Sequence, residues 1–219
     1  MGLFGDDKYC VICGSKSGFL GGLFWYDLAD GSHLCSSCRD KCTPGELKFE
    51  AMTADAVKAN IAFAAENKRK AVQEFRATRQ LKAGAYRGRD CIEIDENHGW
   101  FKDMTHNNGW VYDLNDIYTF HMHLVTRRPQ ADETAKGIDW SNYQFDELPK
   151  YTEGDFLTEA KLKIYLMDNG LGVTKVEVDL VPSWNPDDSE LRGGYECAHE
   201  FYEFMRNFRN NQKMRLRRQ

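Results

Sequence analysis

Two Cys-x-x-Cys pairs 21 residues apart, Cys10-Val-Ile-Cys13 and Cys35-Ser-Ser-Cys38, constrain this chain more than any other feature. That is the spacing of a structural zinc site, in which four thiolates close a tetrahedron and leave no coordination position open. In Cys13-Gly14 the glycine supplies the positive φ of a tight knuckle, and the second pair follows the turn-like Asp30-Gly31-Ser32. The second pair is expected at a helix start, where amide dipoles favour thiolate charge. Phe19 to Leu28 suits a hairpin between the pairs. The predicted ligands of one structural Zn2+ are therefore Cys10, Cys13, Cys35 and Cys38. His33 and Cys42 are alternative donors, since imidazole and thiolate both bind zinc. Cys42 falls one helical turn beyond Cys38, a place that suits a buried thiol behaving as an apolar group. Disulfides are the competing reading, and they belong to oxidising compartments. The start Met-Gly-Leu-Phe-Gly-Asp has neither the basic segment nor the long apolar core of a secretory signal, so the expected location is cytoplasmic.

A chain of 219 residues has ample length for a second core beyond a ribbon of this size. After the break at Thr43-Pro44-Gly45, Thr53 reads as a helix N-cap. Val57, Ile61, Ala64, Ala65, Ala71, Val72 and Phe75 recur at helical spacing and predict one buried stripe, with the helix stopping before Lys82. From Arg89 the period changes to two. Cys91 to Asp95, Trp100 to Lys102, Trp110 to Tyr112, Ile117 to Val125, Leu162 to Met167 and Val173 to Val181 read as strands, with turns at Glu96 to Gly99 and Asp168 to Gly170. Residues 128–154 are polar and irregular, and a helix from Tyr195 to about Asn211 closes the chain. The predicted class is α+β: a zinc ribbon over 1–45, a connecting amphipathic helix over 46–84, and an antiparallel barrel or sandwich with a terminal helix over 85–219.

The Met1-Gly-Leu-Phe-Gly5 start, the CxxCG…LCxxC ribbon and Ile61-Ala-Phe-Ala-Ala-Glu-Asn67 carry a resemblance, as do Ile94-Asp95-Glu-Asn97-His-Gly-Trp-Phe, Asp116-Ile117 and Leu162-Lys-Ile-Tyr-Leu. The chain resembles a bacterial zinc-ribbon family of unassigned function, found mainly in Gram-positive bacteria and their mobile elements. The resemblance covers most of the chain outside 126–158, and only its cysteine motif is specific. It implies a pleckstrin-homology-like (PH-like) β domain after the ribbon. The family's Gly-rich apolar insertion, suggestive of membrane contact, is replaced here by the polar stretch from Arg127 to Gly154.

No P-loop, dinucleotide fingerprint or Gly-x-Ser-x-Gly elbow is present. His121 and His123 share one face of a strand, and a second metal there needs a third donor such as His98, His106 or Asp103. Cys91 and Cys197 fall in apolar patterns and read as core residues. The expected function is a non-catalytic, zinc-stabilised adaptor for a protein partner, with no small-molecule substrate evident.

Charge supplies two further readings. Arg206, Arg209, Lys213, Arg215, Arg217 and Arg218 give the last fourteen residues +6, leaving −11 on the rest of a chain of net charge −5. Nucleic-acid binding would use that tail with Lys16, Arg39 and Lys41, and Trp25 and Tyr26 as stacking groups. Lipid docking of a PH-like module is disfavoured by 18 acidic against 10 basic residues between Ala85 and Val181.

Overall fold

The computed structural model describes residues 8–17, 25–83, 89–106, 109–127, 136–138, 156–167, 169–181 and 188–216. The first part of the anticipated hairpin, most of the polar stretch 128–154 and the last three tail residues lie outside them. The chain divides into two compact units, Met1–Glu74 with Asp168–Thr174, and Phe75–Met167 with Lys175–Gln219.

In the first unit, β1 (Trp25–Asp27) and β2 (His33–Cys35) form an antiparallel hairpin that runs directly into α1 (Ser36–Arg39). A 3-10 turn at Phe49–Ala51 precedes α2 (Ala54–Arg69). Thr53 caps α2 as anticipated, its hydroxyl accepting from the Ala56 N–H at 3.3 Å. Asp30, in the β1–β2 turn, accepts from the Ala54 N–H at 2.7 Å and from the Ser32 N–H at 3.1 Å. These bonds hold its carboxyl down at about 2, and they tie the hairpin turn to the helix start. The apolar stripe is narrower than its periodicity implied. Val57 and Ala64 are buried, but Ala65 is exposed and Val72 is 79% exposed. A π turn over Lys70–Glu74 ends the helix, and Val72 falls within it, where the 3.6-residue period no longer holds.

Residues 168–174, which join two strands of the second unit, cluster with the first. Gly170 and Gly172 both have positive φ, the Asn169 carboxamide oxygen accepts from the Leu171 N–H at 2.9 Å, and Phe63 lies against Gly170. A Cβ on Gly45 would collide with the Gly172 backbone. Gly45→Ala is therefore expected to lower the stability of this unit by about 1–3 kcal/mol, the usual cost of overpacking against backbone that cannot yield. An unchanged thermal midpoint would show that the approach is not close in solution.

The second unit holds two open four-stranded antiparallel sheets. One is ordered β3 (Arg79–Ala83), β4 (Arg89–Asp95), β5 (Trp100–Asp103), β6 (Tyr112–Asp113). The other is ordered β10 (Lys175–Asp179), β9 (Phe156–Leu166), β7 (Ile117–Arg127), β8 (Lys136–Ile138). The α+β class and the antiparallel pairing stand, but neither sheet closes into a barrel. After β6 a 3-10 turn at Leu114–Asp116 interrupts the pairing, so no ladder among the described strands runs from β6 to β7. Residues 79–83, anticipated at a helix end, instead pair with β4 from Arg79 opposite Ile94 to Ala83 opposite Arg89. The two sheets meet where Arg89 and Cys91 of β4 both donate to the Asp179 carbonyl, at 2.5 and 3.6 Å.

The alternation that marked the strands decides their buried faces. Ile92, Ile94 and Phe101 are fully buried from one sheet, and Leu162, Ile164 and Val178 from the other. Helix α3 (Asp188–Leu216) is longer than the apolar pattern indicated. Its Cys197, Ala198, Phe201 and Met205 are buried, and Phe201 meets Phe120 of β7 edge-on at 5.1 Å.

Candidate metal centre

The ribbon places its four thiols from backbone geometry alone. The Gly14 N–H donates to the Cys10 carbonyl at 2.8 Å, with Gly14 at φ 71°, which turns Cys10 and Cys13 to one side of the knuckle. Cys10 bridges His33, and the Val11 N–H donates to the His33 carbonyl at 2.9 Å, so the knuckle is strapped to β2. Cys35 closes β2 in extended conformation and caps α1, which carries Cys38.

The sulfurs of Cys10, Cys13, Cys35 and Cys38 all lie within 4.8 Å of one another. The Cys13 and Cys35 Sγ atoms are 3.7 Å apart. A tetrahedron with metal–sulfur bonds of about 2.3 Å has edges of about 3.8 Å, so the donor set fits a zinc-sized ion. The Cys35 N–H reaches the Cys10 sulfur at 3.5 Å, an amide donor of the kind that supports a ligating thiolate.

The acidities fit a set of donors waiting for a cation. The Ser15 hydroxyl and N–H bring Cys13 down to about 6. Burial alone would raise Cys10, yet the N–H groups of Cys35, Cys13 and Ile12 outweigh it and bring Cys10 down. Burial and its three sulfur neighbours push Cys38 up, and burial pushes Cys35 up. Four adjacent sulfurs cannot all ionise beside one another, so two favour the anion and two resist it. A divalent cation removes that conflict and makes all four thiolates favourable together.

Neither alternative donor joins the set. The His33 Nδ1 is 2.8 Å from Asp27, which also accepts from Lys8 at 2.7 Å. Cys42 is 5% exposed and directs its thiol to the Cys38 carbonyl at 3.7 Å. It packs with Leu28, Leu34, Phe49 and Val57 in the core that backs the site.

Among the described residues no other three His, Cys, Asp or Glu donors gather in this way. His121 and His123 sit opposite Lys163 and Lys161 on β9. The His121 ring is buried and stacked on Tyr165, with centroids 5.2 Å apart. His98 and His106 instead bond buried carboxylates, Asp95 and Asp103, each through Nδ1 at 2.8 Å. This repeated Asp-x-x-His brackets β5. Cys91 and Cys197 are buried, and each thiol perturbs the other's acidity, Cys91 downward and Cys197 upward.

The surfaces considered for nucleic acid and lipid are partly committed to the fold. Tyr26 packs on Phe49 at 5.1 Å, and Trp25 is half-buried against the ribbon core. Arg206 pairs with Glu203, and Arg209 donates to the Ile117 carbonyl at 2.7 Å. No helix among the described residues is long and apolar enough to cross a membrane. Comparison with protein-family models, with curated proteins and with solved structures finds no match for the chain.

Proposed function

We propose that this chain is a zinc-stabilised interaction protein without catalytic activity, whose ribbon is a scaffold and whose second unit is a PH-like β domain presenting surfaces to a protein partner. The observation that carries the reading is the composition of the donor set: four protein thiols, three of them buried, meet at tetrahedral spacing. Cys10, Cys13, Cys35 and Cys38 would hold the ion. Bound there, Zn2+ supplies cross-linking of the knuckle to β2 and α1, since four thiolates leave no position for water or substrate. The two antiparallel sheets and the terminal helix of the second unit support the PH-like reading, which rests on the resemblance set out above.

Cobalt(II) titration tests the site directly. The chain is expected to take up one Co2+ with the intense visible absorption of tetrahedral thiolate coordination, and equimolar Zn2+ should bleach it. Weak, octahedral-type absorption would sink the closed-site reading. For the adaptor role, a purified partner should bind the zinc-loaded chain and stay bound when the metal is stripped, because the surfaces proposed to hold it belong to the second unit. Turnover of a substrate that survives metal removal would count against the non-catalytic part alone.

A further inference from the structure

A cleft of about 740 Å3 opens on the second unit between α3, β3 and the β4–β5 turn, within the size range of small-molecule sites. We propose that it binds a neutral, polyhydroxylated small molecule of the saccharide class.

The first support is a hydrogen-bonding group fixed in place at the cleft wall. His98 lines the cleft, and its ring is held from two directions, by the fully buried Asp95 at Nδ1 and by Trp100 stacked on its face at 4.5 Å. Asp95 occupies Nδ1, which leaves Nε2 as the ring nitrogen for a ligand hydroxyl, able to donate or accept. A group held this way loses little freedom when a ligand bonds to it.

The second support is the kind of polar group present. Asn97 on the β4–β5 turn and Asn207 and Asn211 on α3 line the cleft, and their carboxamides have no protein partner among the described residues. A carboxamide both donates and accepts, as a hydroxyl does, so each can serve a vicinal diol. They come from opposite walls, which suits hydrogen bonds around the rim of a ring better than along one edge of a flat base. Phe208, half-buried at the cleft, supplies an apolar surface for the C–H face of such a ring; Phe204, stacked on it at 5.9 Å, is buried and backs it.

Charge disfavours an anion. Arg79 is the one Lys or Arg among the described lining residues; it is paired to Glu96 at 3.1 Å and lies over Phe204 at 5.4 Å. Glu203 is paired to Arg206, and Glu200 lines the cleft as a further carboxylate, so a phosphate or carboxylate finds no Lys or Arg in the lining that is not already paired.

The test is an amide-detected NMR titration of the full, zinc-loaded chain with maltose, cellobiose, trehalose and N,N′-diacetylchitobiose, each to about 10 mM, as suits millimolar affinity. At least one is expected to shift the side-chain amides of Asn97, Asn207 and Asn211 saturably. Asn207→Ala sits on an exposed helix face where alanine is well tolerated, so the variant should fold, and it should weaken binding roughly fivefold or more. Three outcomes would overturn the proposal: no shift with any of the four sugars, an undiminished response in Asn207→Ala, or shifts of the same amides by adenosine or spermidine alone. None of these depends on the ribbon, so the zinc reading stands or falls separately.

Discussion

Replacing Cys38 with serine is expected to abolish stoichiometric zinc and to unfold the first unit. Cys38 is 1% exposed inside α1, and serine is a poor zinc ligand at neutral pH. Structural zinc contributes about 10–16 kcal/mol of apparent binding energy in small zinc modules, as much as the whole stability of a typical domain. The ribbon has little else to hold it, because its apolar core is a handful of side chains around Leu34, Phe49 and Val57. Metal analysis should show zinc falling from one per chain to near zero. Amide hydrogen exchange should lose its protection across β1, β2 and α2 while β4 and β9 keep theirs. Cys42→Ser is the control: its thiol lies outside the donor set, so zinc content should stay at one per chain even though a buried hydroxyl costs some stability. Equal zinc and equal stability in Cys38→Ser would refute the site.

The second large effect belongs to Asp95. This carboxylate is wholly buried and accepts from the N–H groups of Arg76, Asn97 and His98 at 2.9, 3.1 and 3.3 Å and from the His98 ring. Asp95→Ala strands those donors. A loss of about 3 kcal/mol or more is expected, because each buried donor left without a partner costs roughly 1–3 kcal/mol. The variant's urea midpoint at neutral pH measures it, and a change within error would mean that water replaces the carboxylate.

Proton linkage gives that prediction a direction. Burial alone would raise the Asp95 pKa, but the Arg76 amide and His98 outweigh it, so the folded value lies below the ordinary 3.8. A carboxyl depressed on folding contributes stability in full above its unfolded value. That contribution fades as pH falls through the folded value. Wild-type stability should therefore drop on acidification below about pH 4 more steeply than that of Asp95→Ala.

Much of the ribbon was legible because its information is local. The two CxxC pairs, Gly14 and the turn at Asp30 specify where the sulfurs go within a few bonds of themselves, and the structure places all four together. Strand alternation was legible for the same reason: β5 and residues 160–166 of β9 bury every second residue, whereas β4 also buries the neighbours Cys91 and Asp95. Other features had no local signature. Arg79 to Ala83 carries a weak pattern, and it is a strand because β4 offers a ladder. Val72 follows helical periodicity and is exposed because a π turn intervenes. Asp95 closes a predicted strand and Asp103 follows another, with nothing local to mark either as buried; their burial depends on neighbours that fold over them.

The sequence by itself determined the donor set, the antiparallel strands and the amphipathic closing helix, because spacing and alternation act over a few residues and survive in any surrounding. Tertiary structure alone decided that the sheets stay open, that residues 168–174 join the first unit, and that two histidines are held by buried carboxylates. Those outcomes turn on hydrogen bonds and packing between distant segments, whose free energy exists only once the chain has brought them together.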